Sequence, residues 1–167
     1  MNTKLALGTV QFGLDYGIAN NNGQVSIEEA RKILDYSKKN DIRILDTASE
    51  YGDSERVLGE IGVDSYKIIT KTLSLTNNVE EVVANLFKSL ENLKTDKVEG
   101  LLIHDMKDVE NKQFDDLFEK LKALQKEGLV RKIGFSTYMP EQIDFLLNNF
   151  EFELIQVPLN VFDIRLI

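Results

Sequence analysis

The sequence predicts an α/β fold in which short parallel strands alternate with helices along 167 residues. Three observations predict it. Runs rich in Ile, Val and Leu recur between segments whose apolar residues return at helical spacing. Those runs lack polar alternation, as expected of strands buried on both faces. Helix start and stop signals stand between them.

LALGTVQF, residues 5 to 12, reads as the first strand and leads into a loop carrying Asn22-Gly23. A helix follows from Ser26, with Glu29 three residues on completing a capping box and Ile27, Ala30, Ile33 and Leu34 forming its apolar stripe. IRILD, ending at Asp46, is the second strand, and a short helix from Ser54 carries Val57, Leu58 and Ile61. KIITK, ending at Lys71, is the third. The next helix runs from about Val79 to Leu93 with Val82, Val83, Leu86 and Leu90 on one side. EGLLIH, ending at His104, is the fourth strand. Phe114, Leu117, Phe118, Leu121 and Leu124 mark another helix, and Gly128 stands where a C′ glycine belongs. VRKIGFS is the fifth strand, Pro140 opens a helix at its first position, and ELIQVPLN is the sixth strand.

A doubly wound open sheet and part of a (β/α)8 TIM barrel both fit this alternation. No GxGxxG follows a strand and no GxxxxGK[ST] occurs, so the phosphate-binding turns of common open-sheet folds are missing and the barrel is favoured. A complete barrel takes about 250 residues. The expectation is therefore one domain, residues 1–167, forming a partial barrel truncated after about six βα units, with the seventh and eighth strands missing. The apolar ending FDIRLI, with Leu166 and Ile167, reads the same way. An open barrel would leave unpaired edges at the first and sixth strands and uncover residues such as Leu5 and Leu154. Self-association through those edges is expected.

The composition, 43% hydrophobic and 29% charged, is that of an ordinary globular domain. A net charge of −8 disfavours nucleic acid or an anionic membrane as partner, and basic residues cluster only in short pieces such as Lys38-Lys39 and Arg131-Lys132. With no cysteine there is no disulfide, thiolate metal site or thiol nucleophile, and one histidine leaves no structural zinc site. No apolar stretch resembles a leader or a membrane span, so the expected location is cytoplasmic.

Four polar side chains stand where apolar runs end: Asp46, Tyr51 in the loop just after it, Lys71 and His104. Strand C-termini and the loops after them form the active-site face of a (β/α) barrel, so a carboxylate, a phenol, an ammonium and an imidazole would share one rim. Taken singly, each has a plainer reading: a turn-capping Asp, a surface Tyr, a solvated Lys, a core His. Four such residues at three successive strand ends favour proton chemistry. Two other features read as structural. LFKSLENLK and DDLFEKLKALQK are inner faces of barrel helices and not partner-binding stripes. Glu50, Asp53 and Glu55 complement a helix N-terminus and do not make a metal site.

In collinear order, GTVQFG at 8–13, LDTASEYGDSE at 45–55, ITK at 69–71, LLIHD at 101–105, KIGFST at 132–137 and IQVPLN at 155–160 resemble the aldo-keto reductase family. The DTAxxYG piece, followed by the strand-end Lys and His, is the specific part. The resemblance implies a (β/α)8 barrel that reduces an aldehyde or ketone, sugar-type carbonyls among them, with NADPH, NADH being the alternative. It makes Tyr51 the general acid. Lys71 would stabilise the charge left on the phenol oxygen, Asp46 would hold Lys71 and touch the cofactor ribose, and His104 would orient the carbonyl. Ser136 and Gln156 match positions that hold the nicotinamide carboxamide. Thr137 stands at a third cofactor position, where many members carry Asn. Missing segments after strands seven and eight would remove much of the grip on the dinucleotide, so the 167 residues alone are expected to have little or no activity. Two other readings stay open: a non-catalytic fragment or regulatory module, and a barrel isomerase or lyase acting on sugars without nicotinamide.

Overall fold

The computed structural model describes residues 4–76 and 78–165; the apolar pair Leu166 and Ile167 lies outside them. Among the described residues six parallel strands form one sheet: β1 (Leu7–Gly8), β2 (Ile44–Asp46), β3 (Lys67–Lys71), β4 (Gly100–Ile103), β5 (Ile133–Ser136) and β6 (Leu154–Gln156). Five helices join them: α1 (Ile27–Lys39), α2 (Ser54–Ile61), α3 (Val79–Leu93), α4 (Phe114–Lys126) and α5 (Pro140–Asn149). The spatial order is β1-β2-β3-β4-β5-β6, each strand beside its predecessor in sequence. A doubly wound sheet would reverse direction at a switch point. The order found here is that of a barrel wall, and the six units form a half-barrel clothed by helices. Among the described residues no helix is long and apolar enough to cross a membrane.

The helices follow their sequence signals closely. Ser26 caps α1 by accepting from the Glu29 N–H at 3.3 Å, but the Glu29 carboxylate pairs with Lys32 instead of returning to Ser26, so only half of the expected capping box forms. Asn78 caps α3, accepting from the Glu81 N–H at 2.8 Å. After α4, Gly128 takes φ +87°, its N–H donates to Gln125 O, and the Leu129 N–H donates to Leu124 O. That pairing is a Schellman ending, which needs a left-handed residue and therefore favours glycine. Pro140 sits at the first position of α5.

The strands are shorter than the apolar runs suggest, most of all the first. Of residues 5 to 12 only Leu7–Gly8 pair, and Val10–Phe12 turn into a 3₁₀ segment. The reason is local. Both the N–H and the hydroxyl of Thr9 donate to Asp46 O, at 3.0 Å each, which closes the ladder, and Gly13 and Leu14 then donate to Val10 O. At the other edge, β6 stops at Gln156, two residues before Pro158, which has no N–H to offer a ladder. β4 stops at Ile103, so His104 is the first residue beyond the strand. A 3₁₀ turn over Met106–Glu110, not foreseen in the sequence, links β4 to α4.

The core lies between sheet and helices. β4 and β5 are buried along their whole length, and the inner faces of α3 and α4 supply Leu86, Leu90, Leu93, Phe114, Leu117 and Leu121. Phe135 of β5 packs among Phe114, Phe118, Phe150 and Phe152, with ring centroids 5.1 to 6.3 Å apart. Burying one such ring contributes about 1.5–3 kcal/mol, enough to fix α4 against β5. Leu5 is exposed, as the open edge suggests, whereas Leu154 is half-buried over Gly100.

Candidate active site

Every side chain singled out at a strand end except Thr137 borders one cavity of about 230 Å³ at the C-terminal edge of the sheet, lined by Asp46, Tyr51, Lys71, His104, Ser136 and Gln156 together with Tyr138, Val157 and Pro158. The topology brings them there. Asp46, Lys71, Ser136 and Gln156 are the last residues of β2, β3, β5 and β6, and His104 follows β4 directly. In parallel register these ends fall side by side; Ser136 pairs with Gln156 itself.

Lys71 is the centre of the floor. Its side chain is 2% exposed, and Nζ donates to Asp46 Oδ1 at 2.7 Å, Thr47 O at 2.9 Å and Tyr51 Oη at 3.2 Å. Three donors meet three acceptors, which is what an ammonium needs when it leaves water. The Tyr51 oxygen therefore lies beside a cation that is itself held by a carboxylate. The Tyr51 ring meets His104 edge-on, centroids 6.0 Å apart and planes at 78°.

The loop that presents Tyr51 is fixed from below. Ser54 Oγ bonds Thr9 O and Thr9 Oγ1 at 2.9 Å each and lies 3.2 Å from Thr47 Oγ1, all three residues being fully buried. The Tyr51 N–H donates to Ala48 O, and the Ser54 N–H to Tyr51 O. Gly13 packs so closely that a Cβ there would stand 1.8 Å from Tyr51 O. The glycine at the end of the first apolar run thus serves the Tyr51 loop by leaving room for it.

His104 donates its backbone N–H to Thr72 Oγ1 at 3.3 Å. Its Nδ1 is buried; Glu50 Oε2 stands 2.8 Å away, close enough for an ion pair but off the line of a regular hydrogen bond. Beneath the floor, Glu55 is buried and accepts from Thr70 Oγ1 at 2.6 Å; burial pushes its carboxyl above the usual range despite hydrogen bonds from Thr70 and Ser89. Asp108, in the turn after β4, accepts from Ser74 Oγ and the Leu75 N–H, tying that turn to the loop after β3, and burial raises its carboxyl too.

Ser136 and Gln156 face Asp46 and Lys71 across the cavity, and among the described residues neither side chain is hydrogen bonded. Thr137 is different. It is fully buried, its hydroxyl donates to Gln142 Oε1, and it does not line the cavity. In the sequence Ser54 is marked only as the start of a helix, and nothing marks Tyr138, Thr9 or Thr47 for the site. Thr47 and Ser54 lie inside the DTASEYGDSE stretch, and only their place next to Asp46 and Tyr51 hinted at a role. In the sequence Glu50 stands out only as one acid of a cluster with Asp53 and Glu55. Among the described residues no group of three or more His, Cys, Asp or Glu could hold a metal ion.

Comparison with known proteins adds to this geometry. The model of the Aldo/keto reductase family matches residues 4–165. A glyoxal reductase of Bacillus subtilis (strain 168) is 31% identical over 131 residues, which cover 74% of this chain and 45% of the relative. A structure from Pseudomonas aeruginosa described as an aldo-keto reductase superposes with a TM-score of 0.81 at 26% identity, over 96% of this chain and 65% of that one. The Bombyx mori aldo-keto reductase, in complex with NADP, gives a TM-score of 0.70 at 25% identity, over 93% of this chain and 54% of that one. The matched stretches cover less than half the length of these curated relatives.

Proposed function

The chain belongs to the aldo/keto reductase family, and from that premise we propose that it carries the catalytic rim of a nicotinamide-dependent oxidoreductase that reduces an aldehyde or ketone. One observation carries the reading: a buried lysine that bonds Asp46 and the Tyr51 hydroxyl at once, in a cavity bordered by His104. Tyr51 gives its proton to the substrate oxygen. Lys71 stabilises the charge that remains on the phenol oxygen, and Asp46 with Thr47 O keeps the ammonium in place. His104, on the far side of the Tyr51 ring, orients the carbonyl.

The residues present fit the reacting end of a nicotinamide cofactor. A carboxamide needs a donor and an acceptor, and Ser136 and Gln156 offer both from side chains not otherwise bonded among the described residues. When bound, the cofactor supplies the hydride. A cavity of about 230 Å³ falls below the roughly 300–1,000 Å³ of sites that enclose a drug-sized ligand. These residues would therefore hold the nicotinamide end and leave the rest of the dinucleotide to other segments. NADPH is the cofactor to test first, after the NADP complex of the Bombyx mori relative. Small dicarbonyls such as glyoxal, after the Bacillus subtilis relative, are the first substrates, with sugar aldehydes the second class.

The test is carbonyl-dependent NADPH oxidation by the chain extended to a closed eight-stranded barrel, with the 167-residue chain beside it and expected to turn over little. Tyr51→Phe should lower kcat by roughly 10²–10⁴-fold, the contribution of a positioned acid, with cofactor affinity unchanged. Equal turnover in that variant would remove Tyr51 from the mechanism.

A further inference from the structure

We propose that Glu50 is a positioning residue for His104: its carboxylate holds the ring proton on Nδ1, so Nε2 donates to a substrate oxygen only while both nitrogens are protonated. The proposal takes its catalytic meaning from the reductase reading, but its physical content is independent of it.

Glu50 immediately precedes Tyr51, so the turn that aims the phenol also aims this carboxylate. Its side chain is 42% exposed, yet Oε2 stands 2.8 Å from Nδ1 of a ring that is 21% exposed. A neutral imidazole has one N–H and can carry it on either nitrogen, whereas an ionised carboxylate only accepts. The contact is off the line of a regular hydrogen bond, but a negative charge 2.8 Å from Nδ1 favours a proton there over a lone pair, and the state of one ring nitrogen fixes that of the other. In that tautomer Nε2, the nitrogen left for the cavity shared with Tyr51, is an acceptor and cannot steady a carbonyl. The doubly protonated ring can.

Other charged groups face His104 from each neighbouring element. On the floor, Asp46 and Lys71 are committed to one another, and Tyr51 to Lys71. From the turn after β4 come Asp105, Lys107 and Glu110, and from the loop after β5 comes Tyr138; these line a second cavity of about 380 Å³ with Glu50 and His104. Asp105 accepts from the Lys107 N–H. Glu50 is the carboxylate in ion-pair contact with the ring.

His104 is the sole histidine of the chain, so the imidazole ¹⁵N resonances of the labelled 167-residue protein need no assignment. They are recorded with no substrate or cofactor, well above the pH at which an ordinary imidazole loses its second proton. In the unaltered chain Nδ1 is expected at the protonated, pyrrole-like position and Nε2 at the pyridine-like one. Glu50→Ala should shift the proton towards Nε2. A proton on Nε2 in the unaltered chain, or an unchanged pattern in Glu50→Ala, overturns the proposal. The ¹⁵N measurement uses no turnover, so its failure leaves the reductase reading standing, and failure of that reading leaves the tautomer result intact.

Discussion

The two walls of the cavity are built differently. On the β2–β3 side, Lys71 has three partners, Thr9, Thr47 and Ser54 bond one another in the core, and Gly13 lets the Tyr51 loop settle against it. On the β5–β6 side, Ser136 and Gln156 are not bonded through their side chains among the described residues, and β6 is partly exposed. The connecting helices repeat the contrast: α2, between β2 and β3, buries five residues, whereas α5, between β5 and β6, buries Leu146 alone. Groups that would hold a proton donor, on the function proposed, are over-determined. Groups that would grip a ligand are left with hydrogen-bonding capacity to spend on it. Preorganised chemistry and an adaptable grip are compatible because separate strands carry them.

The largest expected effect is on the first wall. Lys71→Met leaves the Asp46 carboxylate, whose side chain is 21% exposed, without its cation. Removing one partner of a buried pair costs about 3–5 kcal/mol; Asp46 keeps some water, so about 3 kcal/mol in urea unfolding is expected, with turnover of the extended enzyme lost. A stability change under 1 kcal/mol, on the order of an exposed ion pair, would mean the floor is not over-determined.

Two glycines give the next test, one for each wall. A Cβ at Gly13 would meet Tyr51 O at 1.8 Å, and one at Gly134 would meet Leu154 O at 1.7 Å. Each alanine substitution should destabilise by about 1–3 kcal/mol, the usual range for overpacking. Their kinetic effects should separate, Gly13→Ala lowering kcat by moving the Tyr51 loop and Gly134→Ala weakening cofactor binding by moving β6. Identical kinetic profiles would erase the distinction between the walls.

Gln156→Ala should weaken NADPH binding by up to about tenfold, one hydrogen bond of about 0.5–1.5 kcal/mol, and leave the melting temperature nearly unchanged, both read by titration calorimetry and thermal melts. The smallest effect belongs to Glu55. Burial raises its carboxyl in the folded state, so between the ordinary carboxyl range and that raised value the folded chain binds more proton than the unfolded one. Stability then falls as pH rises through that window. Glu55→Gln removes the dependence, and its melting temperature relative to the unaltered chain should climb from acid to neutral pH. A difference independent of pH would show that Glu55 is not the titrating group.

The helices were legible because their signals are local: Ser26 and Asn78 cap with their own side chains, Gly128 supplies the left-handed residue, and Pro140 fits only a first turn. The strand limits were less legible. An apolar run such as LALGTVQF has no mark for where pairing stops, since the stop comes from Thr9 bonding Asp46, 37 residues away. The positions of Asp46, Tyr51, Lys71 and His104 could be picked out because a barrel rim makes strand ends functional whatever the loops do. Thr137 could not be told from Ser136 by sequence, because which of two adjacent polar residues faces the cavity depends on the strand's alternation and on Gln142 offering an acceptor behind it.

By itself the sequence determined the parallel α/β alternation, the six strands, the helix ends and the residue types at each strand end. Periodicity, capping and turn chemistry are properties of a few consecutive residues. Only the tertiary structure decided that Lys71 bonds Asp46 and Tyr51 together, that three hydroxyls lock the loop beneath them, that Gly13 clears space for Tyr51 O, and that Glu50 stands beside His104. Those contacts join segments far apart in the chain, and their distances are fixed by strand register and close packing, which no local stretch of sequence encodes.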